Sequence, residues 1–389
     1  MKKVLSVGIA FCFLGAVAAQ DSLRSPFWVR TKGALPFLEY GLGDDRLGGA
    51  KMTYLDSNVL LKVVDSFATD YKVQLAANFT AYIDKKSVKQ LASTPPPRLW
   101  VSASILVNGD SAFDYAAIQL PEKLPYRSQQ FIGPSRIVVD IFGAASNTNW
   151  ITQRSTATAI ANTYYEQLSD DVLRMVIELK QPTHWGYQVY YNGNRLTVKV
   201  KRQPPVLSLR KLRIAVDAGH GGSNTGATGI TTGIKEKDYT LLMAQALEQQ
   251  LQKAGATVIM TREKDTALSM EERVLMLRQA DPHLLISIHL NSSVKDSVKG
   301  VSTYYRYIGF RPLSQAILKN MLKLDLAEFG NVGAFNFSLS GPTEYPNCLV
   351  EVAFLSNKED EQRILDPQFH KQVAKKIVAG IKDWLREVD

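Results

Sequence analysis

The sequence predicts an α/β fold: a C-terminal α/β domain with a mostly parallel sheet and helices on both faces, preceded by two small all-β domains. Three observations carry this. From about residue 211 onward, short apolar runs alternate with segments of helical period, the pattern of a sheet covered by helices. Before that point, apolar and polar residues alternate one for one between glycine-rich breaks, as in strands with one buried face. Two proline clusters, 95–97 and 204–205, each follow a strand-like run and mark linkers. The boundaries that follow are a leader over 1–19, a small β-barrel-like domain over 24–94, a β-sandwich over 98–203 and the α/β domain over 211–389.

The leader is read from its own pattern. Lys2 and Lys3 precede an apolar run over 4–17, and Ala16, Val17 and Ala18 offer a small-residue cleavage site. This is the layout of a secretory signal peptide. The run is too short to span a bilayer. Cys12 follows Phe11, a poor setting for lipid attachment. The expectation is an exported protein of the periplasm without a membrane anchor. Cleavage leaves Cys348 as the one remaining cysteine, so no intramolecular disulfide is expected. Stability then rests on core burial, which a chain of 389 residues allows. The formal charge is +9, and removing the two leader lysines leaves +7. That balance suits weak attraction to an anionic polymer. Export and the lack of a basic-aromatic motif argue against nucleic acid.

In the first β region, 59–64 is an apolar run, Tyr71, Val73 and Leu75 alternate with polar residues, and 41–49 is a glycine-rich break. This texture resembles the Src-homology-like barrels of bacterial wall enzymes. In the second, Leu173, Met175, Ile177 and Leu179 alternate with other residues, as do Leu196, Val198 and Val200. "SRIVVDIFGA", over 135–144, reads as a buried strand ending at a turn. The run resembles the AMIN module, a β-sandwich that accompanies wall amidases. That resemblance implies an envelope or division-site partner through the β regions; a β-rich spacer without a ligand is the other reading.

The α/β region follows in order. Residues 213–216 form a strand. Leu242, Met243, Ala246, Leu247, Leu251 and Ala254 fall on one helical stripe, and Gly255 stands where a helix C-terminal glycine is expected. Residues 257–261 form the next strand. Ser269 and Glu272 make a capping box for a helix carrying Met270, Val274 and Leu277. Strands are expected over 284–290 and 301–305, and a helix over 314–329. Residues 349–355 form an apolar strand interrupted by one acid. Phe369, Val373, Ile377, Ile381 and Trp384 mark a closing helix.

In such sheets the site lies beyond the carboxyl ends of the strands. Four residues share that placement. His220 sits in "VDAGHGG", just past the first α/β strand, among glycines that permit tight turns and close approach. Glu236, in "GIKEKDYT", starts the first helix. His289, in "LLISIHLN", ends a strand, and Glu351, in "CLVEVAFLSN", lies inside one. Singly, a histidine at a strand end is ordinarily a satisfied core residue, and an acid in a first helical turn is favoured by the helix dipole. Glu351 differs: an ionised carboxylate in a buried strand costs several kcal/mol unless paired or cation-bound. Two imidazoles and a carboxylate together are a common catalytic zinc shell with a fourth position for water. An unligated acid beside such a shell suits proton transfer. Spacing alone does not establish the set, because these residues are far apart and unlike the compact HExxH pattern. The remaining histidines, His184, His283 and His370, are read as structural, and Cys348 as a small core residue.

The whole of 211–389 resembles the zinc-dependent N-acetylmuramoyl-L-alanine amidases of the amidase-3 type. "VDAGHGG" resembles the first zinc-histidine motif, "GIKEKDYTLLMAQAL" the glutamate-lysine helix start, and "LLISIHLNSS" the second histidine strand. "TVIMTREKDTALSMEERV" matches a further run through Arg262, Asp265 and Arg273, and "GVSTYY" is similar to the strand that follows. "CLVEVAFLSN" resembles the catalytic glutamate strand. The resemblance implies zinc on His220, Glu236 and His289, Glu351 as the catalytic acid and base, and no further cofactor. It implies hydrolysis of the amide between N-acetylmuramic acid and L-alanine in peptidoglycan, for wall remodelling or daughter-cell separation. Two departures remove no ligand. Ala218 stands where the family has proline, and Asn224, Thr225, Gly226 and Ala227 replace its Asp-Pro-Gly-Ala. Asn291 follows the second histidine as in the family, either near substrate or as a turn former. Some relatives carry a long insertion after the "GVSTYY" strand whose helix blocks the zinc. Here only "RYIGFRPL" lies before the next helix, so an active site open without an activator is expected. Two other readings stay open: a zinc peptidase acting on another bond of the stem peptide, and a catalytically silent wall-binding protein.

Overall fold

Strands that send their apolar side chains into a shared core build the first half of the chain. The computed structural model describes residues 25–43, 48–92 and 99–388; the expected leader and the 95–97 proline cluster lie outside them. Within the first β region, seven strands form one antiparallel sheet from Phe27–Thr31 to Val88–Gln90, with Lys51–Tyr54 at one edge. Val29, Val63, Val73, Ala81 and Ile83 point inward and are fully buried. The second region holds a five-stranded and a four-stranded sheet. Ile105, Val107, Ile118, Leu196 and Val198 from one sheet meet Ile137, Val139, Leu173, Met175 and Ile177 from the other, in an apolar core continuous with the first region. The run at 135–144 forms the strand Ser135–Phe142, ended by Gly143 at φ +76°.

The α/β region is built on six strands. They are β1 (Arg213–Ala218), β2 (Thr257–Met260), β3 (Leu284–Asn291), β4 (Val301–Tyr304), β5 (Glu328–Val332) and β6 (Asn347–Phe354). Their order across the sheet is β2-β1-β3-β6-β4-β5. The pairs β1/β2, β1/β3, β3/β6 and β4/β5 run parallel, and β4/β6 runs antiparallel. The helices are α1 (Glu236–Lys253), α2 (Met270–Ala280), α3 (Arg311–Met321), α4 (Lys358–Leu365) and α5 (Pro367–Glu387). Alternate strand residues face opposite ways. Ile214, Val216, Ile286, Ile288, Val350 and Val352 pack with α1, α3 and α5 in the main core. Ala215 and Leu285 face the other way and meet Val274 and Leu277 of α2. Asp217, His289 and Glu351 share the residue parity of Ala215 and Leu285. They therefore lie on the more thinly covered face, where a cleft can open. No helix among the described residues is long and apolar enough to cross a membrane.

Local signals are met at the helix ends. Ser269 and Glu272 form both halves of the capping box, and Gly255, at φ +90°, follows α1 in the left-handed region. Two expectations are corrected. The helix expected over 314–329 ends at Met321; a 3-10 turn follows, Asp325 turns at φ +55°, and Glu328–Val332 pairs with β4 as an edge strand. Leu242, placed on the apolar stripe of α1, is 48% exposed, while Met243, Ala244, Leu247 and Leu251 are buried. One helical step of about 100° carries Leu242 past the edge of the buried face.

The β regions pack directly on the α/β region. Trp185 lies 5.1 Å from Trp384 between ring centroids. Lys201 is buried and donates to the Pro282 carbonyl at 2.7 Å. Tyr187 and Thr343 exchange a pair of hydrogen bonds, Tyr187 N–H to the Thr343 carbonyl and the Thr343 hydroxyl to the Tyr187 carbonyl.

Candidate metal centre

His220, Glu236 and His289 come together. His220 Nε2 and His289 Nδ1 each lie 3.0 Å from Glu236 Oε1. One donor atom from each residue falls within a set spanning no more than 4.8 Å. The chain brings them together by three different local devices. His220 follows β1 through Gly219 and is held at φ +63°, a left-handed conformation unusual for a residue with a Cβ. Glu236 is the first residue of α1, where the helix dipole favours an anion. His289 stands near the carboxyl end of β3. Glu351 is the register partner of His289 on the adjacent parallel strand β6, so the two side chains stand side by side on one face.

Two glycines make this approach possible. A Cβ on Gly219 would sit 2.4 Å from His289 Cε1, and one on Gly226 would sit 2.4 Å from Glu236 Oε2 and 2.8 Å from His220 Cδ2. The glycine run read in the sequence is therefore a cradle sized to the converging side chains.

The environment sets the charge of each group. Burial works to raise the Glu236 carboxyl, but hydrogen bonds from His220 and His289 overcome it and hold the group well below the usual carboxylate range. Glu236 Oε1 also accepts from Leu290 N–H at 3.1 Å, and Oε2 accepts from Ala227 N–H at 2.8 Å. Burial works to lower His220, and the bond and charge of Glu236 outweigh it and raise the imidazole. His220 Nδ1 lies 2.9 Å from Asn224 Oδ1. An amide oxygen only accepts, so Nδ1 donates to Asn224, and Nε2 is the nitrogen left facing Glu236, where it would offer its lone pair to a bound metal. A set of two nitrogens and one carboxylate oxygen, with one imidazole partly open to solvent, fits a divalent zinc ion with a free coordination position.

A second layer locks the backbone that carries His220. Asp217 is paired with Arg273 at 2.5 Å, each side chain only 1% exposed. Arg273 also donates to the carbonyls of Ala218 at 2.9 Å and His220 at 2.5 Å. Arg262 donates to the carbonyls of Ala218 and Gly219, both at 3.0 Å, and to that of Lys237 at 2.7 Å. Asp265 accepts from Gly222 N–H and from Lys237 Nζ, both at 2.6 Å. Arg262, Asp265 and Arg273 thus join the turn to α1 and β1. Asn291 donates to the Tyr304 hydroxyl at 3.3 Å.

The histidines read as structural have protein partners. His184 Nε2 lies 2.8 Å from the Phe131 carbonyl, His370 Nε2 lies 2.7 Å from the Ile364 carbonyl, and His283 Nδ1 accepts from Arg213 N–H at 2.9 Å. Cys348 is buried, and burial pushes its thiol up. Sequence reasoning missed Asn224 as the orienter of His220; its signal was a short polar side chain four residues downstream. It also assigned no part to Phe337, whose ring meets that of His289 edge-on at 5.4 Å.

Comparison with known proteins places these features. Residues 214–383 match the family model described as N-acetylmuramoyl-L-alanine amidase, and residues 108–200 match that of the AMIN domain. The chain is 32% identical over 193 residues to a protein named "Probable cell wall amidase LytH" from Staphylococcus saprophyticus, covering 49% of this chain and 65% of the relative. It is 36% identical over 171 residues to the protein of that name from Staphylococcus aureus, covering 43% of this chain and 57% of the relative. The chain thus spans between 57% and 65% of the length of these curated relatives. Among solved structures it is similar to the catalytic domain of CwlV, an N-acetylmuramoyl-L-alanine amidase from Bacillus (Paenibacillus) polymyxa, at 32% identity. That match covers 46% of this chain and 99% of the other, with a TM-score of 0.43.

Proposed function

Residues 214–383 form a domain of the N-acetylmuramoyl-L-alanine amidase family, joined to an AMIN domain over 108–200, and on that premise we propose that the chain is a zinc-dependent peptidoglycan amidase. Its substrate bond is the amide between the lactyl group of N-acetylmuramic acid and the L-alanine of the stem peptide. The observation that carries this reading is the convergence of His220, Glu236 and His289, with Glu351 at the register of His289 on the neighbouring strand.

Zinc held by those three residues would lower the pKa of a water to roughly 7 and polarise the scissile carbonyl. The chain's own groups supply the rest. Asn224 fixes the tautomer of His220. Arg262 and Arg273 hold the turn that presents it. The Glu351 carboxylate takes a proton from the attacking water and returns it to the alanine nitrogen as the C–N bond breaks. That proton lets the amine leave neutral.

The partner of the chain is peptidoglycan, reached from the periplasm after export, and not nucleic acid. The divisions at 24–94, 98–203 and 211–389 are its working units, and the AMIN match supports an envelope or division-site partner for the β regions. Between β4 and α3 there is only the 3-10 turn Ile308–Phe310, which leaves no blocking helix there and supports activity without an activator.

The test measures zinc content and hydrolysis of purified wall together. Glu351→Gln should bind zinc like the wild type and lose turnover by a factor of roughly 10² to 10⁴. His220→Ala should lose both. Full hydrolysis by the Glu351→Gln variant would remove the proton-transfer assignment.

A further inference from the structure

The wall of the centre beside His289 is a loop that the α/β region holds only in part. Phe337 abuts His289, Phe335 stacks on Phe337 at 6.2 Å, and Tyr304 lies 4.6 Å from Phe335 between centroids. These rings form a row that ends at the centre. The loop carrying two of them, 333–341, has one 3-10 turn, Ser338–Ser340, and a left-handed Ala334 at φ +54°.

Much of its anchoring comes from the opposite end of the chain. Asn336 Nδ2 donates to the Gly49 carbonyl at 2.8 Å, and Lys51 N–H donates back to Asn336 Oδ1 at 3.0 Å. The Asn336 amide thus acts as one more rung on the edge strand Lys51–Tyr54. The Tyr54 hydroxyl donates to the Ser338 carbonyl at 3.3 Å. Arg306 bridges the Lys51 carbonyl and Asn336 Oδ1. Leu35, also from the first β region, packs into the cluster that contains Phe337, Leu339 and Tyr345.

We propose that the N-terminal β region completes the active centre: Asn336 is a positioning residue through which the strand Lys51–Tyr54 fixes the Phe335 and Phe337 wall beside His289. The wall offers an apolar face to the methyl-bearing lactyl and alanyl groups that flank the scissile amide. This second part rests on the amidase reading. The barrel-like region then acts on small soluble substrates as well as on intact wall, because its effect passes through the loop.

The test uses the full chain loaded with zinc and a soluble muramoyl peptide too small to touch the first β region. Hydrogen exchange over 333–341 and steady-state kinetics are read for wild type, Asn336→Ala, Asn336→Asp and Tyr54→Phe. Asn336→Ala should exchange about tenfold faster in the loop, since the hydrogen bonds with Gly49, Lys51 and Arg306 are lost. It should raise KM several-fold with kcat within about twofold and zinc content unchanged, as expected for lost ground-state binding. Asn336→Asp keeps the acceptor and loses the donor, so it should fall between. Tyr54→Phe keeps the ring and should shift both readouts in the same direction by less. Unchanged exchange in Asn336→Ala would overturn the positioning claim. Faster exchange with unchanged KM would overturn the contact with substrate. Absence of hydrolysis by the zinc-loaded wild type would overturn the amidase reading instead, and the exchange result would still decide the positioning claim.

Discussion

Replacing Arg273 with alanine should destabilise the α/β region by about 3 kcal/mol. Arg273 and Asp217 are each 1% exposed on their side chains. Burial works to raise Asp217, and the Arg273 charge, with the hydroxyls of Ser287 and Thr261, overcomes it. Breaking such a buried pair from one side costs about 3–5 kcal/mol, because a desolvated charge is left behind. The two hydroxyl donors remain, at 2.6 and 2.7 Å, which puts the cost at the lower end, about 3 kcal/mol. The loss is large against a typical domain stability of about 5–15 kcal/mol. The variant also strips the guanidinium from the His220 carbonyl, so zinc affinity should fall together with stability. The assay is urea denaturation followed by tryptophan fluorescence, run with chelator so that metal linkage does not enter. Adding Asp217→Asn to Arg273→Ala removes the stranded charge and should recover part of the loss. A cost below about 1 kcal/mol for Arg273→Ala would refute the reasoning, since it would place the pair in the range of exposed salt bridges.

Two further outcomes are expected. Asn224→Ala removes the acceptor that fixes the His220 tautomer, so zinc affinity by competition titration should drop roughly 10- to 100-fold; unchanged affinity would contradict the assigned role. His283 is held down to about 4 by burial and by the cations Lys201 and Arg213, against the opposing charge of Asp281. Its folded value lies below the unfolded one near 6.5, so protonation favours the unfolded chain. The contribution is present above about pH 6.5 and is lost as pH falls toward 4. A His283→Gln variant should therefore show a flatter stability profile across that window, and a profile parallel to the wild type would count against it.

The centre was legible through the motifs that carry its residues more than through the residues taken singly. Glu351 is a charge inside an apolar strand, His220 sits in a glycine turn at a strand end, and Glu236 opens a helix. Only Glu351 needs, by itself, an explanation that packing does not supply; the other two gain their meaning as a set. The capping box at Ser269 and Glu272 and the glycine after α1 were legible because they depend on neighbours within a turn. What the sequence hid is non-local. Lys201 stands just before the proline pair read as a linker, yet it is buried against Pro282. Asn336 is bonded to Lys51 and Gly49, 285 and 287 residues away in sequence. Neither contact leaves a period or motif in the sequence. The helix expected over 314–329 failed for a related reason: its apolar residues continue past Asp325 but serve an edge strand paired with β4.

The most direct measurement is mass spectrometry of the products released from purified peptidoglycan by the zinc-loaded chain, with a chelator control. The account predicts stem peptides with a free L-alanine amino terminus, glycan strands left intact, and no release when the metal is removed. Cleavage at any other bond of the stem peptide, or equal release in the presence of chelator, would contradict it.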